Sequence, residues 1–470
     1  MANWPGPCSV EGLVMTMTQT DVRPVETDHL LSGQSPVVIV SSDTHISPLL
    51  SDMRAYCPSQ YLDDYDSFMN RKTDMDYQNL ENETEGRVRR QELNLRTSGH
   101  HDVAARRADM DEDGVAAEII FHGSTNDQAF PLGLGGFGFG TFFGDIPTEH
   151  LELVAAGIRI YNRYIIDVTS DNRARQVPLA YVPFWDVDLC VEEAKWAGEA
   201  GFKGINFPAN RPGIPQYDDP FWEPFWAACA SSGLVLNTHC GAAAPGHLDG
   251  TGRHNYPHTQ AIIPIESATW APRRNAIRMI YGGVFDRHPN LRLALTEQPG
   301  VWWRTLANDL DSVWLTSASE SLHRQVPSRP SDYMSNHLFV GASFLAPFEV
   351  ADAMAEGYSS NIMWGSDYPH SEGTWASREE IDEPNRTTYA IRDAFHSAPE
   401  LEIRKMIGEN AVRLFDLDLE ELQQVANRIK APTIRDIKAP ITPEDEKVIA
   451  GFQDRDRDYT KAFRRYGLWG

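Results

Sequence analysis

With 470 residues, 41% of them hydrophobic and 23% charged, the chain can bury a large core, and its composition excludes a disordered polymer. Its formal net charge of −25 repels nucleic acid and anionic lipid, which removes both from the expected partners. An anionic small molecule stays open as a ligand, because a bound cation reverses the field locally.

The chain carries five cysteines, Cys8, Cys57, Cys190, Cys229 and Cys240. They are scattered and form no CxxC pair, which argues against a disulfide framework or a cysteine-rich zinc site and fits a reducing cytoplasm. Residues 1–35 lack a basic start followed by an apolar core, so no signal peptide is expected. No apolar run reaches the roughly 18 residues that a membrane helix needs.

In chain order, short apolar runs alternate with helical stretches. The first strand is expected over Pro36–Ser42, where Val37, Val38, Ile39 and Val40 form a continuous run suited to burial on both faces. Further strands are expected at Ala117–His122, Val177–Phe184, Gly204–Phe207, Leu234–Thr238, Leu291–Thr296, Leu338–Gly341 and Ile362–Gly365. Segments such as Val191–Ala200 and Glu223–Ser231 between them read as helices. Eight strands alternating with helices predict an α/β fold, a distorted (β/α)8 TIM-type barrel, with an open doubly wound sheet as the alternative.

Two stretches break the rhythm. A polar, charged insertion over 47–109 follows the first strand and is too long for an ordinary connection, which suits a lid or a dimer arm. The glycine-rich run Gly133–Gly140 lacks the Lys-Ser/Thr ending of a phosphate loop and reads as a loop at the site mouth. Ser397-Ala398-Pro399-Glu400 reads as the start of the last barrel helix, with Ser397 as its N-cap, and Thr442-Pro443-Glu444-Asp445 as another helix start. The expected organisation is an N-terminal extension over 1–36, the barrel over 37–415, and a charged, partly helical extension over 416–470.

In a parallel barrel, functional residues gather where strands end. Asp43 and His45 follow the first run and, two apart on extended chain, point the same way. His239, Glu297 and Asp367 each stand just past another strand. Singly, each has a plainer role: a carboxylate can cap a helix or form an Asx turn, and a histidine can be a core residue. Together, two imidazoles and two carboxylates at Asp43, His45, His239 and Asp367 suit zinc, manganese or iron. Such an ion lowers the pKa of bound water towards about 7 and polarises a carbonyl. His122, Trp185, Trp302 and His370 are candidates for substrate contact. His247, His254 and His258 cluster in the loop after His239 and read as a solvated loop.

Ser42-Asp43-Thr44-His45, Asn237-Thr238-His239-Cys240-Gly241 and Trp364-Gly365-Ser366-Asp367-Tyr368-Pro369-His370 resemble motifs of the amidohydrolase-related family, the branch that includes aminocarboxymuconate semialdehyde decarboxylase. Arg107–Val115, Phe285–Arg292 and Gly408–Phe415 strengthen the likeness, which covers roughly 37–415. The resemblance implies a metal-dependent distorted barrel with one divalent ion, zinc first and manganese second. It places a first-strand acid-x-His on Asp43 and His45, a fifth-strand ligand on His239, and an eighth-strand aspartate on Asp367, which also serves as a base. Where many members carry a catalytic histidine after strand six, this chain has Glu297.

The expected activity is that of a metal-dependent hydrolase, with Asp367 and Glu297 handling protons. The alternative is a non-oxidative decarboxylase of an aromatic or unsaturated acid, and the third reading is a non-catalytic scaffold. The expected setting is a cytoplasmic homodimer or higher homo-oligomer that binds a small molecule and neither nucleic acid nor membrane.

Overall fold

The computed structural model describes residues 35–71, 96–133 except 125 and 127, 148–209, 214–240, 269–370 except 299, 319 and 344, 373–375, and 385–449 except 448. Most of the glycine-rich run, the middle of the 47–109 insertion, and the loop holding His247, His254 and His258 lie outside the described residues.

The strands are β1 Val40–Ile46, β2 Ala117–His122, β3 Gln176–Pro178, β4 Ala180–Tyr181, β5 Gly204–Asn206, β6 Val235–His239, β7 Leu293–Thr296, β8 Leu338–Ser343 and β9 Ile362–Gly365. All ladders are parallel, in the orders β1-β2-β3 and β4-β5-β6-β7-β8-β9. β3 and β4 are two pieces of one barrel strand. Leu179 between them donates to Ile120 O on the β2 side at 3.0 Å, while Tyr181 pairs with Asn206 on the other. The ring closes between β1 and β9 by a parallel bridge from Thr44 to Tyr368. Asp367 N donates to Asp43 O at 2.9 Å and His45 N to Tyr368 O at 2.7 Å across that seam. Helices including Val103–Asp113, Leu151–Val168, Val187–Ala200, Glu223–Ser231, Ala271–Tyr281 and Pro347–Ala355 separate the strands. The chain is the expected distorted (β/α)8 barrel, with a long insertion after β1 and helices beyond the last barrel helix.

Local chemistry sets several element ends. Asp186 accepts from Asp188 N and Leu189 N to cap the helix Val187–Ala200, and Gly201 closes it in the left-handed region at φ 94°. Thr442 and Asp445 form the reciprocal capping pair expected of a helix start. Ser397 does not cap the last barrel helix. Pro399 holds that position, and Glu400–Arg404 runs through a π turn at Lys405–Glu409 into Asn410–Leu414.

Strand alternation sorts the core. Val40, Val177, Leu179, Val235, Ala294, Phe339 and Met363 pack together inside, against Leu422, Val425 and Ala426 of the helix Leu419–Ile429, which plugs one pole of the barrel. Their neighbours Ile39, Ile205, Leu236, Leu295, Val340 and Trp364 face the helical layer. The same alternation puts Asn237 and His239 on the inner face with Val235.

Most expected strand limits move by a few residues, and two of the shifts bear on the site. β1 begins and ends four residues later than expected, and β6 is later by one, so Asp43, His45 and His239 lie within strands. Polar side chains on the inward face disguise these positions as loop, and the β9 seam supplies the hydrogen bonds that extend β1.

Gly408 in the π turn rests against β1, where an added Cβ would stand 2.0 Å from Val38 O. A backbone atom cannot step aside as a side chain can. Gly408→Ala is expected to lower the unfolding midpoint in urea, with a loss of about 1–3 kcal/mol; an unchanged midpoint would show the contact to be dispensable.

Candidate metal centre

The register of β1 on β2 shifts between Ser41 and Thr44. This irregularity turns the Asp43 carbonyl away from β2 and towards Asp367 N on the far side. Ser41 Oγ donates to Asp43 O at 2.8 Å, and Thr44 Oγ donates to Ile119 O at 2.9 Å. Gly365 makes room, since a Cβ there would meet Asp43 Cβ at 2.9 Å. Asp367 takes a left-handed φ of 54° and Glu297 one of 53°. Such backbone is uncommon outside glycine and gathers at functional sites.

The strand ends bring together Asp43, His45, His239 and Asp367, with His370 and Glu297 beside them. His45 Nε2 lies 3.3 Å from Asp43 Oδ1 and 3.2 Å from Asp367 Oδ1. His239 Nε2 lies 3.1 Å from Asp43 Oδ1. His370 Nδ1 lies 3.0 Å from Asp367 Oδ1, and its ring stacks on His45 at 4.1 Å. Asp43, His45 and Asp367 are fully buried, whereas Glu297 keeps 20% of its side chain exposed. The cluster therefore opens on the Glu297 side, where Oε2 stands 3.7 Å from His239 Nδ1 and accepts from the Cys240 thiol.

The other ring nitrogen of each histidine faces a backbone carbonyl. His45 Nδ1 is 3.2 Å from His122 O, His239 Nδ1 is 3.0 Å from Cys240 O, and His370 Nε2 is 2.7 Å from Gly123 O. A carbonyl only accepts, so these nitrogens carry the hydrogens. In the neutral rings the remaining nitrogens present lone pairs to carboxylate oxygens, which are also acceptors. Either a proton on each ring or one shared cation must stand between them. A divalent cation answers all of these contacts at once, and imidazoles tied to carbonyls by the distal N–H are suited to bind one. The donors thus fit the metal that the resemblance implies. Asp43 with His45 and His239, and Asp367 with His45 and His370, each form a triad of ligand atoms within 4.8 Å of one another.

The electrostatics agree. Burial pushes the Asp43 carboxyl up, but His239 and His45 outweigh it and hold the group well below the usual carboxylate range. Burial likewise raises Asp367, and His370 and His45 bring it below its ordinary value. Burial lowers the His45 and His239 imidazoles, and the facing carboxylates carry both above theirs. Glu297 is pushed up to about 8, by burial first and then by the charge of Asp367.

The four other candidates separate. His370 belongs to the cluster. His122 lends its carbonyl to His45, while its ring packs edge-on against Phe130 and Tyr161. Trp302 donates to Gln298 O at 3.0 Å, next in sequence to Glu297. Trp185 packs on Phe184. Two contributors do not stand out in the sequence. Cys240 follows His239 directly, and Ser343, the last residue of β8, donates to Asp43 Oδ2 at 2.5 Å. Position at a strand end is the one signal that marks Ser343.

The family model described as amidohydrolase matches residues 143–417. The chain belongs to the amidohydrolase family. Among curated relatives, gamma-resorcylate decarboxylase of Rhodococcus jostii is 25% identical over 227 residues, spanning 44% of this chain and 65% of the relative. The 2-amino-3-carboxymuconate-6-semialdehyde decarboxylase of Dictyostelium discoideum is 24% identical over 280 residues, spanning 58% of this chain and 68% of the relative. The chain thus spans about two-thirds of the length of each. Among solved structures, 5-carboxyvanillate decarboxylase of Novosphingobium aromaticivorans, complexed with manganese and 4-hydroxy-3-methoxy-5-nitrobenzoic acid, superposes with a TM-score of 0.55 at 16% identity, covering 82% of this chain and 98% of that one. That likeness establishes the shared fold. This amidohydrolase is therefore a metal-dependent enzyme of its superfamily. Among the described residues no helix is long and apolar enough to cross a membrane.

Because Ser343 holds Asp43 Oδ2, it leaves Oδ1 to face the imidazoles. Ser343→Ala is expected to weaken divalent-metal binding about 10- to 100-fold in competition titrations, with Ser343→Thr close to wild type. Equal affinity in all three proteins would remove Ser343 from the centre.

Proposed function

We propose that this amidohydrolase is a metal-dependent carboxy-lyase that releases carbon dioxide from an aromatic or conjugated carboxylic acid without an oxidant. The observation that carries the reaction class is that both curated relatives named above are decarboxylases. It favours the lyase over the hydrolase expected first. The facing lone pairs of the centre support the metal.

In this reading Asp43, His45, His239 and Asp367 hold one divalent ion, and His370 joins them. Oxygen and nitrogen donors together suit manganese or zinc, and manganese in the structurally similar decarboxylase moves it ahead of zinc. When bound, the ion supplies positive charge that orients and polarises the substrate carboxylate. The residues do the rest. The bond between ring carbon and carboxyl carbon breaks, and its electron pair stays on the ring carbon. One proton must reach that carbon, and Asp367 or Glu297 delivers it. Glu297 stands on the open side and exchanges protons with solvent, while the buried seam keeps Asp367 fixed. Phe121, fully buried, packs edge-on against His239 at 4.9 Å and holds that imidazole in place.

One observation favours hydrolysis as a second reading. The Glu297 carboxyl, beside the open edge of the centre, is also placed to take a proton from water.

The reactions separate by products. Manganese-loaded protein incubated with hydroxylated benzoates in 18O-water is expected to release carbon dioxide and the ring-protonated arene, with no 18O in the arene. Label carried into the acid released from the corresponding aryl esters and amides, with no carbon dioxide from the benzoates, would establish the hydrolase. Asp367→Asn is expected to cut kcat by about 100-fold or more. Absence of turnover across the panel with metal bound would favour a binding scaffold.

A further inference from the structure

Arg273 stands in the first turn of the helix Ala271–Tyr281. That helix is tied to the end of β6 by Asn275, whose Nδ2 donates to Thr238 Oγ at 3.1 Å, one residue before His239. Arg273 Nε donates to Gln298 Oε1 at 3.1 Å, one residue past Glu297. Its guanidinium lies over the Trp302 ring at 4.3 Å, and Trp302 in turn donates to Gln298 O. The cation is thus fixed on the rim that carries Glu297, on the open side of the centre.

Among the described residues no carboxylate pairs with Arg273 and no acceptor meets its Nη groups, which lie beyond the Nε bond to Gln298. Burial alone draws the group down to about 9, the mark of a cation taken from water with no counter-ion beside it. Stacking on an indole uses the face of a guanidinium and leaves its in-plane N–H groups free, a fork that matches a carboxylate. In a chain of net charge −25, an anionic ligand meets repulsion that such a local cation offsets.

We infer that Arg273 is a specificity-determining residue that takes a carboxylate of the ligand at the end remote from the metal centre. The inference rests on the reading above, that a carboxylate-bearing aromatic occupies the site. The preferred ligand is then a ring with two anionic groups, one towards Asp43, His45, His239 and Asp367, the other on the Nη groups of Arg273. Trp302 and Gln298 position the guanidinium, so little ordering remains when the ligand arrives.

Calorimetric titration of the full-length, manganese-loaded protein with benzene-1,3-dicarboxylate and with benzoate tests this. Wild type is expected to bind the dicarboxylate at least about 10-fold more tightly than benzoate. Arg273→Gln is expected to lose that preference while its benzoate affinity and metal content hold, and Arg273→Lys to keep part of it. A wild type without the preference, or an Arg273→Gln protein that retains it, overturns the inference. The lyase reading stands or falls separately: no carbon dioxide from any substrate, with the preference intact, defeats that reading and leaves Arg273 in its role.

Discussion

The structure depends on the seam where β1 meets β9. Asp43 and Asp367 reach the same imidazole edge there, each oxygen within 3.3 Å of His45 Nε2, and neither carboxylate touches solvent. Buried anions cost several kcal/mol each unless a charge stands opposite. Protonated histidines provide one answer and a divalent cation another. The main-chain bonds from Asp367 N to Asp43 O and from His45 N to Tyr368 O hold the acids in place. Closing the barrel and building the centre are therefore a single event.

A second buried network supports the seam from behind. Arg106 donates to His45 O and to Glu118 Oε1, and its guanidinium lies over the Tyr368 ring at 4.6 Å. Tyr368 donates to Asp109 at 2.5 Å, and Gly99 sits so close to the Tyr368 hydroxyl that no side chain fits there. The returning end of the long insertion, with the helix it leads into, is thus keyed to both strands that carry the acids. Ser47 N bonding to His100 O at 2.8 Å shows the insertion leaving and re-entering at one place. Its length is tolerated because its two ends are fixed at that point.

Much of this was legible in the sequence where apolar runs spoke clearly. Ile362–Gly365 and Ala117–His122 appear as strands with the limits expected of them. Legibility failed where function replaces apolar residues: the polar Asp43–His45 reads as lying past the strand although it continues β1 to Ile46. Motif spacing nonetheless led to Asp43, His45, His239 and Asp367, because strand alternation turns spacing into direction. His370 looked like a pocket residue, since a turn after Asp367, not strand periodicity, folds it back onto His45. Ser343 was invisible for a different reason: one serine at the end of a strand carries no pattern, and only the neighbouring strand reveals its partner.

The two sides of the centre divide the work. The seam side is closed, dry and fixed by main-chain bonds, which suits ligands that must not move. The β6 and β7 side carries Cys240, Glu297, Gln298 and, through the next helix, Arg273, linked to one another by side-chain contacts, with Glu297 reaching solvent. The main-chain bonds that close the seam do not pass through that side. Glu297 can therefore vary without moving the main chain that carries Asp43, His45 and Asp367. The seam thus holds the buried charges, and the opposite rim, open to solvent at Glu297, is the side that a ligand meets first.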